Sequence, residues 1–381
     1  MSEQPAEPCV VVESQLQPSS STRISPVEFT VQHVTWSNEA FILRYPRGVY
    51  STARTLQQWR VIDFQGHIQR LCNSLCSVVK RMPWTDRQGR LLSTLADEVW
   101  RSTQMIIPTE ELEPDCQGPL DLDPAVTLFL RFNYDDKVLK QVLTVMLQHG
   151  FAEFLKLPVG KLVHGEMKLT FMLTFDEQVQ LAPALRENPS DKDSQWVRDR
   201  QSIIDAKLPN VNEVLLWDSQ SDAIYEGMSS NFFTVQSISS TAKPAPLPVR
   251  VGDHETPEGD HSGYYRHEAN LKVVTAPPGS VLLGTIMKLV LKVCEENHIP
   301  VEYRHPTLSE ARNTEWWGAF ITSTSRLVLP IHAIYVREHG ENRLYSVPEL
   351  EMIDFIRDEV QRQLMETTVL IEHPDSTAKL N

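Results

Sequence analysis

The stretch that decides the fold is NEVLLWDSQSDAIYEGMSSNFFTV, residues 212–235. Its apolar residues form two short runs, and the Gly and Ser residues between the runs are typical of a tight turn. The pattern predicts a strand, a turn and a second strand, with the carboxylate of Glu226 where the first strand opens into the turn. Taken alone, these residues are better explained by an ordinary hairpin with a solvated glutamate, because turns of this composition are common.

The composition is that of a globular protein. The chain has 381 residues, which is enough for two domains at about 150 residues each. Its 50 acidic and 36 basic side chains give a formal net charge of −14. This charge argues against nucleic acid or an anionic membrane as a partner, although a local basic pocket could still bind a small anion. No window reaches the roughly 20 apolar residues of a spanning helix.

The cysteines are scattered and form no CxxC pair, which fits reduced thiols better than disulfides or a zinc site. They are Cys9, Cys72, Cys76, Cys116 and Cys294. Together with the lack of a predicted spanning helix, signal peptide or transit peptide, this pattern predicts a cytoplasmic protein.

The first 25 residues are rich in Ser, Pro, Gln and Glu. Their single apolar run is too short for the core of a signal peptide, and the glutamates argue against a transit peptide. We therefore predict a disordered tail over residues 1–25.

Hydrophobic periodicity predicts mixed helices and strands along the rest of the chain. Strands are predicted in 26–45, where two strands join at Ser37 and Asn38, and in 125–134, 142–147, 168–175, 212–235 and 318–334. Helices are predicted in 63–79, in 87–106, near Trp196 and in 347–367, and residues 284–311 read as helix, strand and short helix. Residues 244–270 are predicted to be a long surface loop.

Two common catalytic patterns fall in this loop. GDHSG, residues 259–263, imitates a nucleophile elbow, but its serine stands one place too late. Three histidines and two aspartates could suggest a metal site, but their spacing is irregular and solvated loop histidines are commoner. These residues are Asp253, His254, Asp260, His261 and His267.

Three further polar elements could bind an anion. TSTS, residues 322–325, could cradle a phosphate, or it is simply a Thr-rich strand end. Gly284 precedes a predicted helix whose first amides are free to meet an anion. Arg70 lies on the helix HIQRL, where the alternative is a solvated helix-face arginine.

Together and in this order, these elements resemble the class IV pyridoxal-phosphate (PLP) enzymes. This family includes branched-chain and D-amino-acid aminotransferases and aminodeoxychorismate lyase. The resemblance runs from residues 47–71 to residues 320–334, and 212–235 is its most specific part. The pattern DKDSQWVRDR, residues 191–200, looks closest to the plant-type D-amino-acid aminotransferase-like branch.

The resemblance implies an α/β (α+β) architecture of two domains, the fold-type IV arrangement of PLP enzymes. A smaller N-terminal α/β domain would span residues 26–160. A larger PLP-binding C-terminal domain with a barrel-like sheet would span 161–372, with 244–270 as a loop insertion. The family also implies a homodimer.

The resemblance further implies roles for individual residues. Glu226 would hydrogen-bond the pyridine nitrogen of PLP and favour its protonated form, which is the stronger electron sink. Lys192, 34 positions before Glu226, would carry the cofactor as an internal aldimine and then shuttle a proton. From local sequence alone, Lys192 is a surface lysine in a charged stretch, and Lys207 is the fallback candidate.

The phosphate group would be bound by Arg70 and by two backbone segments. The family often has Gly-Ile-Thr where this chain has Gly-Thr-Ile, so Ile286 can offer only its amide. The remaining residues matched to cofactor binding are Ser229, Ser230, Asn231, Gly284, Thr285, Ser323 and Thr324.

The substrates are predicted to be a small amino acid and a 2-oxo acid, and the predicted reaction is PLP-dependent transamination. Arg47, Arg54 and Arg326 could each meet the substrate carboxylate, and Tyr50 could touch the substrate or simply pack in its strand. Two alternatives stay open, because fold and cofactor do not fix the reaction. One is a lyase of the aminodeoxychorismate-lyase type, and the other is a non-catalytic family member.

Overall fold

The computed structural model describes residues 9–14, 29–57, 59–81, 136–157, 167–174, 192–208, 211–238, 270–338 and 341–371. The chain divides into two compact units, Met1–Ser202 with Thr367–Asn381, and Ile203–Glu366. Both units mix helices and strands, which confirms the predicted fold class. The elements predicted in 87–106 and 125–134, residues 244–269 of the predicted loop and the domain boundary near residue 160 lie outside the described residues. The two predicted domains therefore stay a prediction.

The first unit contains a four-stranded antiparallel sheet. Its order is β15 (Thr368–Leu370), β4 (Arg60–Ile62), β3 (Gly48–Leu56) and β5 (Lys168–Thr174). Strand β5 confirms the prediction for 168–175. Strand β3 is largely buried, since α2 (Phe64–Arg81) packs against it.

Helix α2 follows the predicted helical spacing. Phe64, Ile68, Leu71 and Leu75 recur every three or four residues and are almost completely buried. Together with apolar residues of β3 and of the next helix they form the main core of this unit.

The strand predicted at 142–147 is wrong, because these residues belong to α3 (Asp136–Phe154). The β-branched valines of the short window favour a strand. The longer window decides, since Leu139, Leu143, Leu147 and Phe151 repeat every four residues and all four are buried in the core.

Two predictions near the N-terminus are also wrong where the structure describes the chain. Within the tail predicted to be disordered, β1 (Cys9–Ser14) pairs antiparallel with β2 (Phe29–Val34), and Val11 is buried. The second strand predicted in 26–45 is α1 (Asn38–Arg44). The amide of Ala40 donates to Ser37 Oγ at 3.1 Å, so the serine caps a helix and does not form a hairpin turn.

Residues 192–194 run beside β3 and lead into two short helices. Val49 forms an isolated bridge with Asp193, and the amide of Ser194 donates to the carbonyl of Gly48 at 2.8 Å. Helices α4 (Gln195–Asp199) and α5 (Gln201–Ala206) follow, which confirms the helix predicted near Trp196.

The second unit contains a five-stranded sheet of order β10 (Val301–Tyr303), β9 (Leu271–Thr275), β8 (Asn231–Ser237), β11 (Trp316–Ser323) and β12 (Leu327–Pro330). All neighbours are antiparallel except β9 and β10. At its centre Phe233 stacks on Phe320. The predicted barrel-like character of the sheet stays a prediction.

Two hairpins accompany this sheet. Strands β6 (Leu215–Trp217) and β7 (Ile224–Gly227) pair, and β7 turns directly into β8, which confirms the strand, turn and strand predicted for 212–235. The second hairpin consists of β13 (Ala333–Glu338) and β14 (Glu341–Ser346).

The helices predicted for the C-terminal half are confirmed. They are α6 (Thr285–Glu296), α7 (Leu308–Arg312) and α8 (Glu351–Leu364). Helix α7 begins with a reciprocal capping box between Thr307 and Glu310. Among the described residues, no helix combines the length and apolar character needed to cross a membrane.

Candidate active site

In the first unit, Lys192 is held against β3. Its carbonyl accepts from the amide of Tyr50 at 2.9 Å, and its own amide donates to Ser74 Oγ at 3.0 Å. Its Nζ lies 5.6 Å from the centroid of the buried Tyr50 ring, which is within cation–π range. Lys192 is half-buried, whereas Lys207 is exposed on the residues that follow α5. The geometry thus favours Lys192 over Lys207.

The segment around Lys192 is fixed by an ion pair that the sequence did not reveal. Arg47 Nη2 donates to Asp193 Oδ2 at 2.6 Å, and Arg47 Nε lies 3.1 Å from Asp193 Oδ1. Asp193 Oδ1 also accepts from the amide of Gln195 at 2.9 Å, at the start of α4. Arg47 was a candidate for substrate binding, and the structure places its guanidinium on this neighbour of the candidate lysine.

Arg70 projects from α2 into a polar cluster. Its Nη2 lies 3.0 Å from His67 Nδ1, and its guanidinium lies 3.4 Å from Asp63 Oδ2. Only 13% of the Arg70 side chain is exposed, so it is not a solvated helix-face arginine. Desolvation lowers the pKa of Arg70, and the Asp63 carboxylate acts in the opposite direction.

Tyr50 and Arg54, the other candidates in this unit, are both on β3. They are four positions apart, so the alternation of a strand places them on the same face. Burial lowers the pKa of Arg54.

In the second unit, Glu226 is the next-to-last residue of β7 and is 7% exposed. Its Oε2 accepts from the amide of Leu282 at 3.3 Å. The carboxylate is therefore buried, which contradicts the alternative of a solvated glutamate in a hairpin. The amide of Gly227 closes the turn by donating to the carbonyl of Ser230 at 2.7 Å. A Cβ on Gly227 would lie 2.1 Å from Ser230 Oγ, so this turn requires glycine.

Asn231 ties the start of β8 to the loop before α6. Its Nδ2 donates to the carbonyl of Leu282 at 2.6 Å, and a Cβ on Gly284 would lie 2.6 Å from its Oδ1. Gly284 is the N-cap of α6 and supplies no side-chain cap. Ile286, in the first turn of this helix, is 1% exposed.

The corner at 323–326 joins β11 to β12. The amide of Arg326 donates to Ser323 Oγ at 3.2 Å, and Thr324 lies in the turn. The preceding residue, Thr322, is 1% exposed, and its hydroxyl has no hydrogen-bond partner among the residues that the structure describes. Thr322 pairs with Asn231 across the β8–β11 ladder.

These features of the second unit fit a phosphorylated ligand with a basic ring. The buried Thr322 hydroxyl has no hydrogen-bond partner among the described residues, and a ligand atom would supply one. A helix N-terminus without a side-chain cap favours an anion. A buried carboxylate such as that of Glu226 favours a protonated nitrogen beside it.

Sequence reasoning missed Glu213, whose side chain is 5% exposed. Its Oε2 accepts from Ser229 Oγ at 2.7 Å, from Ser230 Oγ at 2.9 Å and from Arg326 Nη1 at 3.0 Å. Three residues predicted to touch cofactor or substrate therefore meet on one carboxylate. A sequence signal existed, because Glu213 precedes the strand that pairs with the strand of Glu226.

Comparison with known proteins finds a family match that lies mostly in the second unit. Residues 196–334 match the model of the amino-transferase class IV family. The match includes Glu226, the turn at 227–231, the start of α6 and the corner at 323–326. Lys192 and Arg70 precede it. A search of curated proteins finds no match.

Solved structures similar to this chain are aminotransferases. A fold IV transaminase of Curtobacterium pusillum is 14% identical, covers 93% of this chain and 99% of its own, and has a TM-score of 0.48. The branched-chain aminotransferase of Thermoproteus uzoniensis with norvaline is 12% identical, with coverages of 90% and 97% and a TM-score of 0.45. A hypothetical aminotransferase of Mycobacterium tuberculosis in its PLP-bound form is 12% identical, with coverages of 84% and 89% and a TM-score of 0.42.

Over residues 196–334 the chain is therefore similar to the class IV aminotransferases. Class IV aminotransferases use PLP, which agrees with the cofactor predicted from the sequence.

Proposed function

We propose that the protein is a PLP-dependent aminotransferase that moves an amino group between an amino acid and a 2-oxo acid. The observation that carries this proposal is the buried carboxylate of Glu226 at the mouth of a glycine turn, within the matched residues. Burial of a charged carboxylate is unfavourable unless the charge has a partner. In a simple hairpin the glutamate would stay exposed to water and avoid this cost, so its burial indicates a further role.

Bound PLP would supply an electron sink for the carbanion that forms when an amino acid loses its α-proton. Glu226 would hold a proton on the ring nitrogen, since a nearby carboxylate favours the charged form of a base. Its contact with the amide of Leu282 fixes the carboxylate in place.

Lys192 would attach the cofactor and afterwards move the proton at the substrate Cα. This work requires the neutral amine, and Lys192 presents its Nζ 5.6 Å from the centroid of the Tyr50 ring. The Arg47–Asp193 pair would keep the backbone of Lys192 in register with β3.

Anion-binding groups would hold the phosphate. Arg70 offers a guanidinium that is largely removed from water, which strengthens its attraction to a dianion. Thr285 and Ile286 offer the first amides of α6, and Ser323 and Thr324 offer the corner after β11. Ser229, Ser230 and Asn231 would shape the turn beside Glu226 and not bind the phosphate themselves.

The substrate carboxylate has Arg54 and Tyr50 as its remaining candidates in the first unit. The terminal nitrogens of Arg326 already donate to Glu213, Ser229 and the carbonyl of Asn212. We also propose that the chain belongs to the plant-type D-amino-acid aminotransferase-like branch. The spectroscopic test below, with single L- and D-amino acids, determines which stereochemistry it prefers.

Absorbance spectroscopy tests the proposed reaction. The purified protein is loaded with PLP, mixed with single L- and D-amino acids, and then given a 2-oxo acid. An aminotransferase loses its visible absorbance with one class of amino acid and regains it with the oxo acid. Release of pyruvate or ammonia without an acceptor supports the lyase alternative, and a protein that stays colourless supports a non-catalytic family member.

We also propose a homodimer in the cytoplasm. Cys9, Cys72 and Cys294 are free thiols, which fits a reducing compartment. Sedimentation that shows a monomer at micromolar concentration would contradict the dimer.

A further inference from the structure

We infer that Glu213 is a positioning residue that links the turn at 227–231 to the corner at 323–326, and that Arg326 serves this link and not the substrate. The inference rests on the proposed function only in so far as both segments serve the cofactor. Its structural basis is the meeting of three donors on Glu213 Oε2.

The Glu213 side chain is fixed at both oxygens. Oε1 accepts from the amide of Val214 at 3.0 Å, while Oε2 takes the two serine hydroxyls and the guanidinium of Arg326. Hydrogen bonds to a charged acceptor are stronger than neutral ones, and this carboxylate is almost fully removed from water. The arrangement therefore holds its partners more firmly than a surface ion pair does.

The link reaches Glu226 through the turn. Ser230 presents its hydroxyl to Glu213, and its carbonyl accepts from the amide of Gly227 at 2.7 Å. Gly227 directly follows Glu226, so a shift of Ser230 is passed to the residue that would face the ring nitrogen.

The link reaches the predicted phosphate corner through Arg326. Its side chain is held by Glu213, and its own amide donates to Ser323 Oγ at 3.2 Å. Release of the side chain would loosen the corner that carries Ser323 and Thr324.

The same contacts argue against Arg326 as the receptor of the substrate carboxylate. Nη1 donates to Glu213 Oε2 at 3.0 Å and to Ser229 Oγ at 3.1 Å, and Nη2 donates to the carbonyl of Asn212 at 3.0 Å. A substrate carboxylate would have to displace Glu213, which already neutralises the guanidinium.

Amide hydrogen exchange of Glu213→Gln tests the link without any cofactor. We expect exchange in both segments, 227–231 and 323–326, to become about tenfold faster, because a charge-assisted hydrogen bond is replaced by weaker neutral ones. The matched control is Glu310→Gln. The Glu310 side chain is also mostly buried and pairs with an arginine of this unit, since Arg304 Nη1 lies 2.7 Å from its Oε1. None of the bonds described above joins Glu310 to either segment. The control should leave exchange in both segments unchanged.

The Kd for PLP tests whether the link serves cofactor binding. Glu213→Gln should raise the Kd for PLP about tenfold, and Arg326→Met should do the same. The double variant should be no worse than either single one, because both remove the same link. Glu310→Gln should keep the Kd of the parent.

Exchange that quickens in only one segment, or in neither, overturns the link. Additive effects on the Kd, or a single Arg326→Met variant that binds PLP normally but raises the KM for the amino acid, overturn the assignment of Arg326. A parent protein that does not bind PLP overturns the proposed function and the cofactor role of Glu213 with it, while faster exchange in both segments would still support the structural link.

Discussion

Arg47 and Asp193 form a two-point ion pair directly beside Lys192, with Arg47 Nη2 2.6 Å from Asp193 Oδ2. Both side chains are mostly buried, and Asp193 is also bridged to Val49 of β3. The pair thus fixes a short segment that would otherwise be a charged loop, and the segment carries the candidate lysine.

Arg47→Met should lower the free energy of unfolding by about 2 kcal/mol, since it leaves the Asp193 carboxylate without its main counterion in a largely buried position. Urea denaturation measures the change. Arg357→Met, which removes a more exposed pair with Asp354, should cost less than about 0.5 kcal/mol. Equal losses for the two variants would show that the Arg47–Asp193 pair does not anchor the segment.

Gly227→Ala should destabilise the protein by about 1–3 kcal/mol, because the new Cβ would lie 2.1 Å from Ser230 Oγ and the turn must open. Thermal unfolding measures the effect. The comparison is Gly279→Ala, since a Cβ on Gly279 has no described atom within 4 Å. A Gly227→Ala protein as stable as Gly279→Ala would mean that the turn is looser than its contacts indicate.

Lys192→Ala should abolish the visible absorbance of PLP-loaded protein and its turnover, since the amine that attaches the cofactor is lost. Its stability should change little, because the main interactions of this residue with β3 run through its backbone. Lys207→Ala, on an exposed position, should keep both properties. The opposite pattern would move the catalytic role to Lys207.

Elements with long, regular periodicity were predictable from the sequence. Helix α2 and helix α6 carry continuous apolar faces, and the strands around Glu226 are bounded by clear turn residues. Short windows failed where a wider context decides. Residues 142–147 look like a strand until Leu139 and Phe151 are counted with them.

The site was predictable only in part, for a related reason. Glu226, Gly284 and Ser323 carry local signals, because each stands where a strand or helix begins or ends. The partners that hold such residues are distant in sequence. Arg47 and Asp193 are 146 positions apart, and Glu213 and Arg326 are 113 apart, so no local pattern joins them.

Glu226→Gln provides the most direct test of the central claim, that this buried carboxylate serves the chemistry of a bound cofactor. The change is nearly isosteric, and the glutamine carbonyl can still accept from the amide of Leu282, so folding and PLP binding should be largely retained. Removal of the α-proton should slow by orders of magnitude, since a neutral amide no longer favours the protonated ring nitrogen on which the transition state depends. The measurement is the single-turnover rate of the half-reaction between the PLP-loaded protein and an amino acid. The account predicts a large loss of rate with near-parental stability, and equal rates for Glu226→Gln and the parent would contradict it.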